Sequence, residues 1–241
     1  MKSVKSMKVF LASLLSLVMI IVPLSQAHAE VNTSNKKEVT FEDGITAKTL
    51  EDNQEVKKVE TKDKKNIYIA TYYKKTGEMK YETYDLNKKL INAELITDKP
   101  TSKNALEVQS AVTSSSLIRK KTLQDVYGYW IYQSSGKYIW VTKLRDGVSK
   151  NPTEKDANRD ELNGFKSSVD TFMSNKDQMV VKVGSGIIGT IVVLYLVPEP
   201  TWTKILAGLL TVISSAVAYA EGKAMYNAYM DSKYYFARIT I

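Results

Sequence analysis

Cysteine is absent from the chain, and histidine occurs once, as His28. Without thiols there is no disulfide, no thiolate nucleophile and no cysteine zinc site. His28 lies inside an N-terminal leader, so the exported chain is expected to have no imidazole either. That excludes a Ser-His or Cys-His mechanism and a histidine zinc site for the mature protein. No block of five like charges appears either. Basic residues are interleaved with acidic ones, and no recognition motif accompanies them, so nothing points to nucleic acid as a partner.

The leader is "MKSVKSMKVFLASLLSLVMIIVPLSQAHAE". Lys2, Lys5 and Lys8 form a positive start, Val9 to Leu24 an apolar stretch, and Ala27-His28-Ala29 an A-x-A cleavage signal. Cleavage between Ala29 and Glu30 leaves 212 of the 241 residues. The leader takes three of the 34 basic residues and none of the 26 acidic ones, so the net charge falls from +8 to +5. A positive exported protein is drawn to anionic surfaces such as bacterial envelopes, although +5 also serves ordinary solubility.

The pattern divides the mature chain into three regions. Residues 30–124 are β-rich. Within them "EVKKVETKDKKN", Glu55 to Asn66, alternates in sign and reads as a solvated segment. "NIYIATYYKKTGEMKYETYDL" reads as a hairpin turning at Gly77, and "KKLINAELITDKP" as a third strand ending at Pro100. Asn104 to Val126, with three consecutive serines from Ser114 to Ser116, reads as a loop or a short, weak helix. Residues 125–178 hold an aromatic hairpin, "YGYWIYQSSGKYIWVTKL", in which Tyr127, Tyr129, Ile131, Tyr138 and Trp140 alternate with smaller residues. Such aromatics can bind carbohydrate or a membrane interface, but more commonly they pack across strands. "LNGFKSSVDTFMSN" then reads as a short amphipathic helix from Leu162. Asp156, Asn158 and Asp160 have calcium-loop spacing. However, Glu161 stands where that loop needs glycine and Ser167 where it needs a bidentate Glu, so no metal is expected.

Residues 179–241 pose the main question. "MVVKVGSGIIGTIVVLYLVPEP" places Gly184, Gly186 and Gly189 as G-x-G-x-x-G, the outline of a dinucleotide-binding turn. The context fails. The next acidic residue, Glu199, sits between prolines, and the 52 residues after Gly189 are too few for a parallel sheet. No cofactor is expected. What remains is an apolar helical hairpin with arms at about Met179–Val197 and Ile205–Ala220 and a corner at "PEPTWTK". The second arm extends to about Asp231, and "YYFARITI" alternates as a closing strand would. Gly184, Gly186, Gly189, Ala207, Thr211 and Ser215 are small residues through which two helices can approach, in lipid or in a protein core. Trp202 and Lys204 at the corner, with Tyr219, Tyr226 and Tyr229 beyond it, suit a membrane interface or the rim of a soluble core. The expected fold class is α+β, with antiparallel meanders followed by this hairpin.

The leader, the "YGYWIYQSSGKYIWVT" block, "LNGFKSSVD", the apolar hairpin and the aromatic tail together resemble the geobacillin-26-like family of large, exported, unmodified bacteriocins. The likeness lies mainly in Asp125 to Ile241 and rests on general organisation, with no catalytic motif. It implies an antibacterial protein acting on related Gram-positive cells. Its partner would be the target membrane or a membrane receptor, with an immunity protein as a further candidate. Two other classes compete. One is a non-toxic envelope protein with the hairpin as anchor or buried core. The other is an extracellular hydrolase, for which no carboxylate spacing picks out a catalytic pair. The A-x-A signal predicts that N-terminal sequencing of secreted protein begins at Glu30, and a start at Met1 would overturn the leader.

Overall fold

The structure is a computed structural model that describes residues 38–96, 115–145, 147–183, 194–195, 200–213 and 215–241. All lie within one compact unit, Lys36–Ile241. The leader with Ala29 and Glu30, the segment from Asn104 to Ser114, and Gly184, Gly186 and Gly189 fall outside the described residues.

Six strands form a meander in chain order: β1 (Val39–Thr40), β2 (Thr46–Asp52), β3 (Val56–Lys62), β4 (Asn66–Tyr73), β5 (Met79–Asp85) and β6 (Leu90–Ile96). A second antiparallel meander joins β7 (Ser116–Leu123), β8 (Tyr127–Ser134), β9 (Lys137–Arg145) and β10 (Val148–Lys150). Among the described residues, the helices α1 (Arg159–Val183), α2 (Trp202–Val212) and α3 (Ser215–Arg238) follow, and Leu194–Tyr195 are also helical. The chain is thus α+β, as its sequence pattern indicates.

Period-2 alternation builds the first sheet. One face carries Ala47, Val59, Tyr68, Ala70, Met79 and Tyr81, all buried. The other carries charges, among them the cross-strand pair Lys48–Glu60 at 2.9 Å. This corrects the reading of Glu55 to Asn66 as a solvated segment. Its alternating charges are the wet side of β3, and Val59 and Thr61 are the dry side. In the second sheet, β8 and β9 meet through Ser135 and Gly136, both at positive φ, the geometry of the two-residue turn that matches strand twist. Tyr127, Tyr129, Ile131 and Trp140 are buried on the core side of this hairpin; Tyr129 meets Trp140 across the strands at 6.0 Å, whereas Tyr127 packs on Phe172 and Tyr229 from later in the chain. β7 replaces the expected loop or weak helix from Ser116 onward. Pairing with β8 along its length overrides the weak local preference of its serines.

α1 is longer than the short helix read from Leu162. It runs for 25 residues and buries Leu162, Phe165, Val169, Phe172 and Met173 at helical spacing. It packs antiparallel to α3: Tyr235 lies against Gly164 at one end, and Lys182 pairs with Glu221 at the other. The closing strand expected at Tyr234 to Ile241 is not formed, because α3 continues to Arg238. Phe236 and Ile239 bury the same apolar residues by a helical offset of three. The end of α3 is held by Lys150, whose Nζ donates to the carbonyls of Phe236 (2.7 Å) and Ile239 (2.8 Å), a cation on the negative end of the helix. Asn158, one of the calcium-spaced residues, is buried and donates instead to the carbonyls of Thr153 and Thr240.

α2 lies on β3 and β4 and also meets α3. Asp63, in the β3–β4 turn, ties it there. One carboxylate oxygen accepts from the N–H groups of Lys65 (2.8 Å) and Asn66 (2.9 Å), and the other accepts from the Thr203 hydroxyl at 2.7 Å. Burial alone would raise the Asp63 carboxyl, but these donors outweigh it and hold the pKa below the ordinary carboxylate value. The stabilisation is therefore complete above about pH 4 and is lost as pH falls through the folded value. Asp63→Ala is expected to cost about 1–2 kcal/mol at neutral pH. Urea unfolding at a series of pH values should show the gap to wild type narrowing below about pH 4.

Candidate functional site

The residues singled out in the second apolar arm come together on and around α2. Its sequence, "WTKILAGLLTV", holds one charge, and Trp202, Thr203, Ile205, Leu206, Ala207, Gly208, Leu209, Leu210 and Thr211 are all buried. A helix apolar on every face must be surrounded, and this one is. Thr201 caps its N-terminus, its hydroxyl accepting from the Lys204 N–H at 3.3 Å. The helix ends at Ile213, whose backbone is extended, so the second arm is two helices. Ser215 begins the second of these.

Each corner residue has an identifiable partner. Trp202 is 5% exposed and sits between Tyr219 (ring centroids 5.6 Å) and Tyr226 (6.0 Å), with Lys223 Nζ 5.0 Å from its ring. Tyr219 in turn stacks on Phe41 at 4.8 Å. Lys204 pairs with Glu94 of β6 and lies over the Tyr81 ring. Burial pushes its ammonium pKa down. Thr211 donates to the Gly208 carbonyl at 2.6 Å, so its hydroxyl is satisfied inside the helix. Tyr229, a candidate interface aromatic, is 1% exposed and meets Tyr127 edge-on.

The close helix approach falls at Gly208 and Gly222. A Cβ at Gly208 would lie 1.7 Å from the Tyr81 hydroxyl and 2.8 Å from Leu194, and one at Gly222 would lie 2.4 Å from Leu209. Of the first arm, Met179 to Val183 ends α1, and Leu194 and Tyr195 are buried, with the Tyr195 hydroxyl donating to the Gly222 carbonyl at 3.0 Å. Sequence reasoning did not find Glu94, Asp63, Tyr81 or Glu221. Glu94 had a local signal, as the one acid in "LINAELI". The others are brought to α2 and to the end of α1 by topology alone.

The arrangement is an apolar helix held by polar clasps: Lys204 to Glu94, Thr203 to Asp63, and Thr61 to the Thr203 carbonyl at 2.9 Å. Lys182 to Glu221 closes α1 on α3. Among the described residues no three acidic or metal-binding side chains are grouped to hold an ion, and no described helix is long and apolar enough to cross a membrane. No known family model, curated protein or solved structure matches the chain.

The Tyr81 hydroxyl is buried without a hydrogen-bond partner among the described residues. Tyr81→Phe is therefore expected to be neutral or stabilising, since it removes an unpaired polar atom. Gly208→Ala should cost about 1–3 kcal/mol, and less in the double variant, because the hydroxyl is its nearest obstacle. Thermal unfolding of the three variants checks both statements. A clear loss of stability in Tyr81→Phe would mean that the hydroxyl is bonded.

Proposed function

We propose that this is a secreted antibacterial protein, a bacteriocin acting on Gram-positive cells, whose C-terminal apolar helices engage the target membrane or a receptor within it. The observation that carries the reading is α2. It is apolar on every face, packed inside the fold, and tied to the rest by a few polar contacts. In lipid the same surface would be as well solvated as in the core, so the cost of exposing it in water disappears at a membrane. Its 11 residues span only about 16 Å of a ~30 Å hydrocarbon core. Engagement therefore involves more of the C-terminal region than α2, or an interfacial position. The resemblance of Asp125 to Ile241 to geobacillin-26-like bacteriocins supports the antibacterial class and Gram-positive targets. The proposal involves no catalysis, cofactor or nucleic acid, and an immunity protein is a proposed partner in the producing cell.

The burial of α2 also favours a second reading, an exported, non-toxic envelope protein in which this helix is simply core. The absence of cysteine allows a clean discrimination. Thr61→Cys/Thr203→Cys places one thiol on β3 and one on α2 where the native side chain and backbone are hydrogen-bonded. The oxidised protein, its disulfide verified by mass, is expected to lose both killing and salt-resistant association with liposomes, and reduction should restore both. Killing by the locked form would overturn release of α2. Wild type that never inhibits growth would favour the envelope reading.

A further inference from the structure

Among the described residues, each sheet has one short edge strand and one long one. β1 and β10 have two and three residues, whereas the opposite edges, β6 and β7, have seven and eight. Long edges invite pairing with other chains, and natural sheets blunt them with bulges and lysines. Both devices are present. The register shifts between Leu117 and Arg119 in β7, leaving Ile118 unpaired, and opposite Thr83 and Tyr84 in β6, leaving Ile91 unpaired. Blunting does not account for what the bulges carry. Leu117 and Ile118 are 51% and 50% exposed, and Leu90 and Ile91 are 50% and 58% exposed. Large aliphatic side chains at an open edge raise the risk that bulges and charges lower. Each pair also adjoins consecutive cations: "LIRKK" in β7 and "KKLI" before β6.

We propose that the β7 edge is a docking surface for an anionic lipid bilayer, with Leu117 and Ile118 entering the interface and Arg119, Lys120 and Lys121 meeting headgroup phosphates. The charge balance fits such a partner. Asp170 accepts from the Tyr129 hydroxyl at 2.9 Å and from Lys166 at 3.1 Å, and Lys121 and Arg119 stand 3.8 and 3.9 Å away. Lys120 pairs with Asp125 at 2.8 Å. Four cations thus share two carboxylates and leave a surplus of two, and the side chains of Arg119, Lys120 and Lys121 keep 56%, 43% and 41% of their surface open. Tyr138, 43% exposed and one row along the same sheet, adds an aromatic suited to the headgroup region. A single short apolar insertion binds membranes weakly, and a neighbouring polybasic cluster is the usual second signal. β7 supplies both within five residues, and the similar Leu90–Ile91 edge offers a second contact.

Docking is distinct from release of α2 and does not require toxicity, because the disulfide-locked protein should still dock. The test is co-sedimentation of the mature chain with phosphatidylglycerol-containing and with pure phosphatidylcholine vesicles at rising salt. The wild-type and locked proteins are expected to bind the anionic vesicles and to bind the zwitterionic ones far less; the locked protein should lose binding as salt increases, and wild type should keep only the salt-resistant part that release of α2 supplies. Leu117→Ser/Ile118→Ser and Arg119→Gln/Lys120→Gln/Lys121→Gln should each weaken binding by about tenfold or more, with unfolding curves confirming that each variant is folded. Ile118→Lys separates the contributions, since it adds a cation while removing an apolar insertion, and it too should bind less. The proposal is overturned if folded variants bind as wild type does, or if wild type ignores anionic vesicles. It is also overturned if binding to a soluble polyanion accounts for the affinity whatever occupies Leu117 and Ile118. A wild-type dimer that Leu117→Ser/Ile118→Ser dissociates would assign the edge to a second copy of the chain instead.

Discussion

An 11-residue helix with no polar face cannot stand against water, and much of this fold follows from enclosing α2. A surface helix needs one partner layer, whereas α2 needs partners all round. β3 and β4 cover one side, with Thr61 and Tyr68 rising from them, and α3 covers another through Gly222 and the Trp202–Tyr219–Tyr226 cluster. Enclosure explains why the first sheet packs one face on α2, while its far face carries charges such as the Lys48–Glu60 pair alongside Ile67 and Thr71. It also explains where close approach is demanded. Gly208 and Gly222 stand where any side chain would collide with Tyr81 or Leu209, so the layers meet at glycine.

Enclosure also fixes the polar chemistry around the helix. A lysine within α2 could not be buried alone, and Lys204 is matched by Glu94 from the edge strand; burial still lowers its pKa. Thr203 exposes a hydroxyl and a carbonyl at the first turn, and both are taken, by Asp63 and Thr61. At the far end of the α1–α3 pair, Glu221 is 7% exposed and shares one oxygen with Lys182, while its second oxygen has no partner among the described residues. These contacts are few and local. Fully burying each of Ile205, Leu206 and Leu209 is worth about 1.5–3 kcal/mol, against about 1 kcal/mol net for a typical hydrogen bond. The clasps therefore set the register of α2, and the apolar burial supplies most of the stability.

The sequence made some of this legible. Strong period-2 stretches such as "NIYIATYY" and "YGYWIYQSSGKYIWV" became β4, β8 and β9, and the α+β class follows from them. β3 was hidden because its exposed face is made of charges that mimic a solvated run. β7 was hidden because serines mask a strand that exists through its pairing with β8. The helical tail around Tyr234 alternated by coincidence, as adjacent tyrosines on a helix with few apolar neighbours imitate a strand. The corner residues Trp202 and Lys204 suited either a membrane belt or a soluble rim by composition. Only topology, which brings Glu94 and Tyr226 to them, shows what they touch in this fold. Gly184, Gly186 and Gly189, which have the spacing of a nucleotide turn, lie outside the described residues, and the close approaches around α2 fall at Gly208 and Gly222.

The molecule treats apolar surface in two opposite ways, and the contrast bears on the proposed function. At its centre an entire helix is withdrawn from water, beyond what a single amphipathic face would require. At its two long edges, pairs of Leu and Ile are left in water beside cations, each pair at a bulge whose isoleucine has no register partner. Both features carry a cost in water, because exposed aliphatics at an edge promote aggregation and a helix without a polar face destabilises any partly unfolded state. Both features lose their cost at an anionic bilayer. On the proposed reading the edge residues would serve there as an anchor assisted by charge, and the buried helix would have a second solvent available. If both proposals hold, access sets the order of events. The edges are exposed in the folded protein and can meet a membrane first, whereas α2 can do so only after Thr203 and Lys204 have left Asp63 and Glu94.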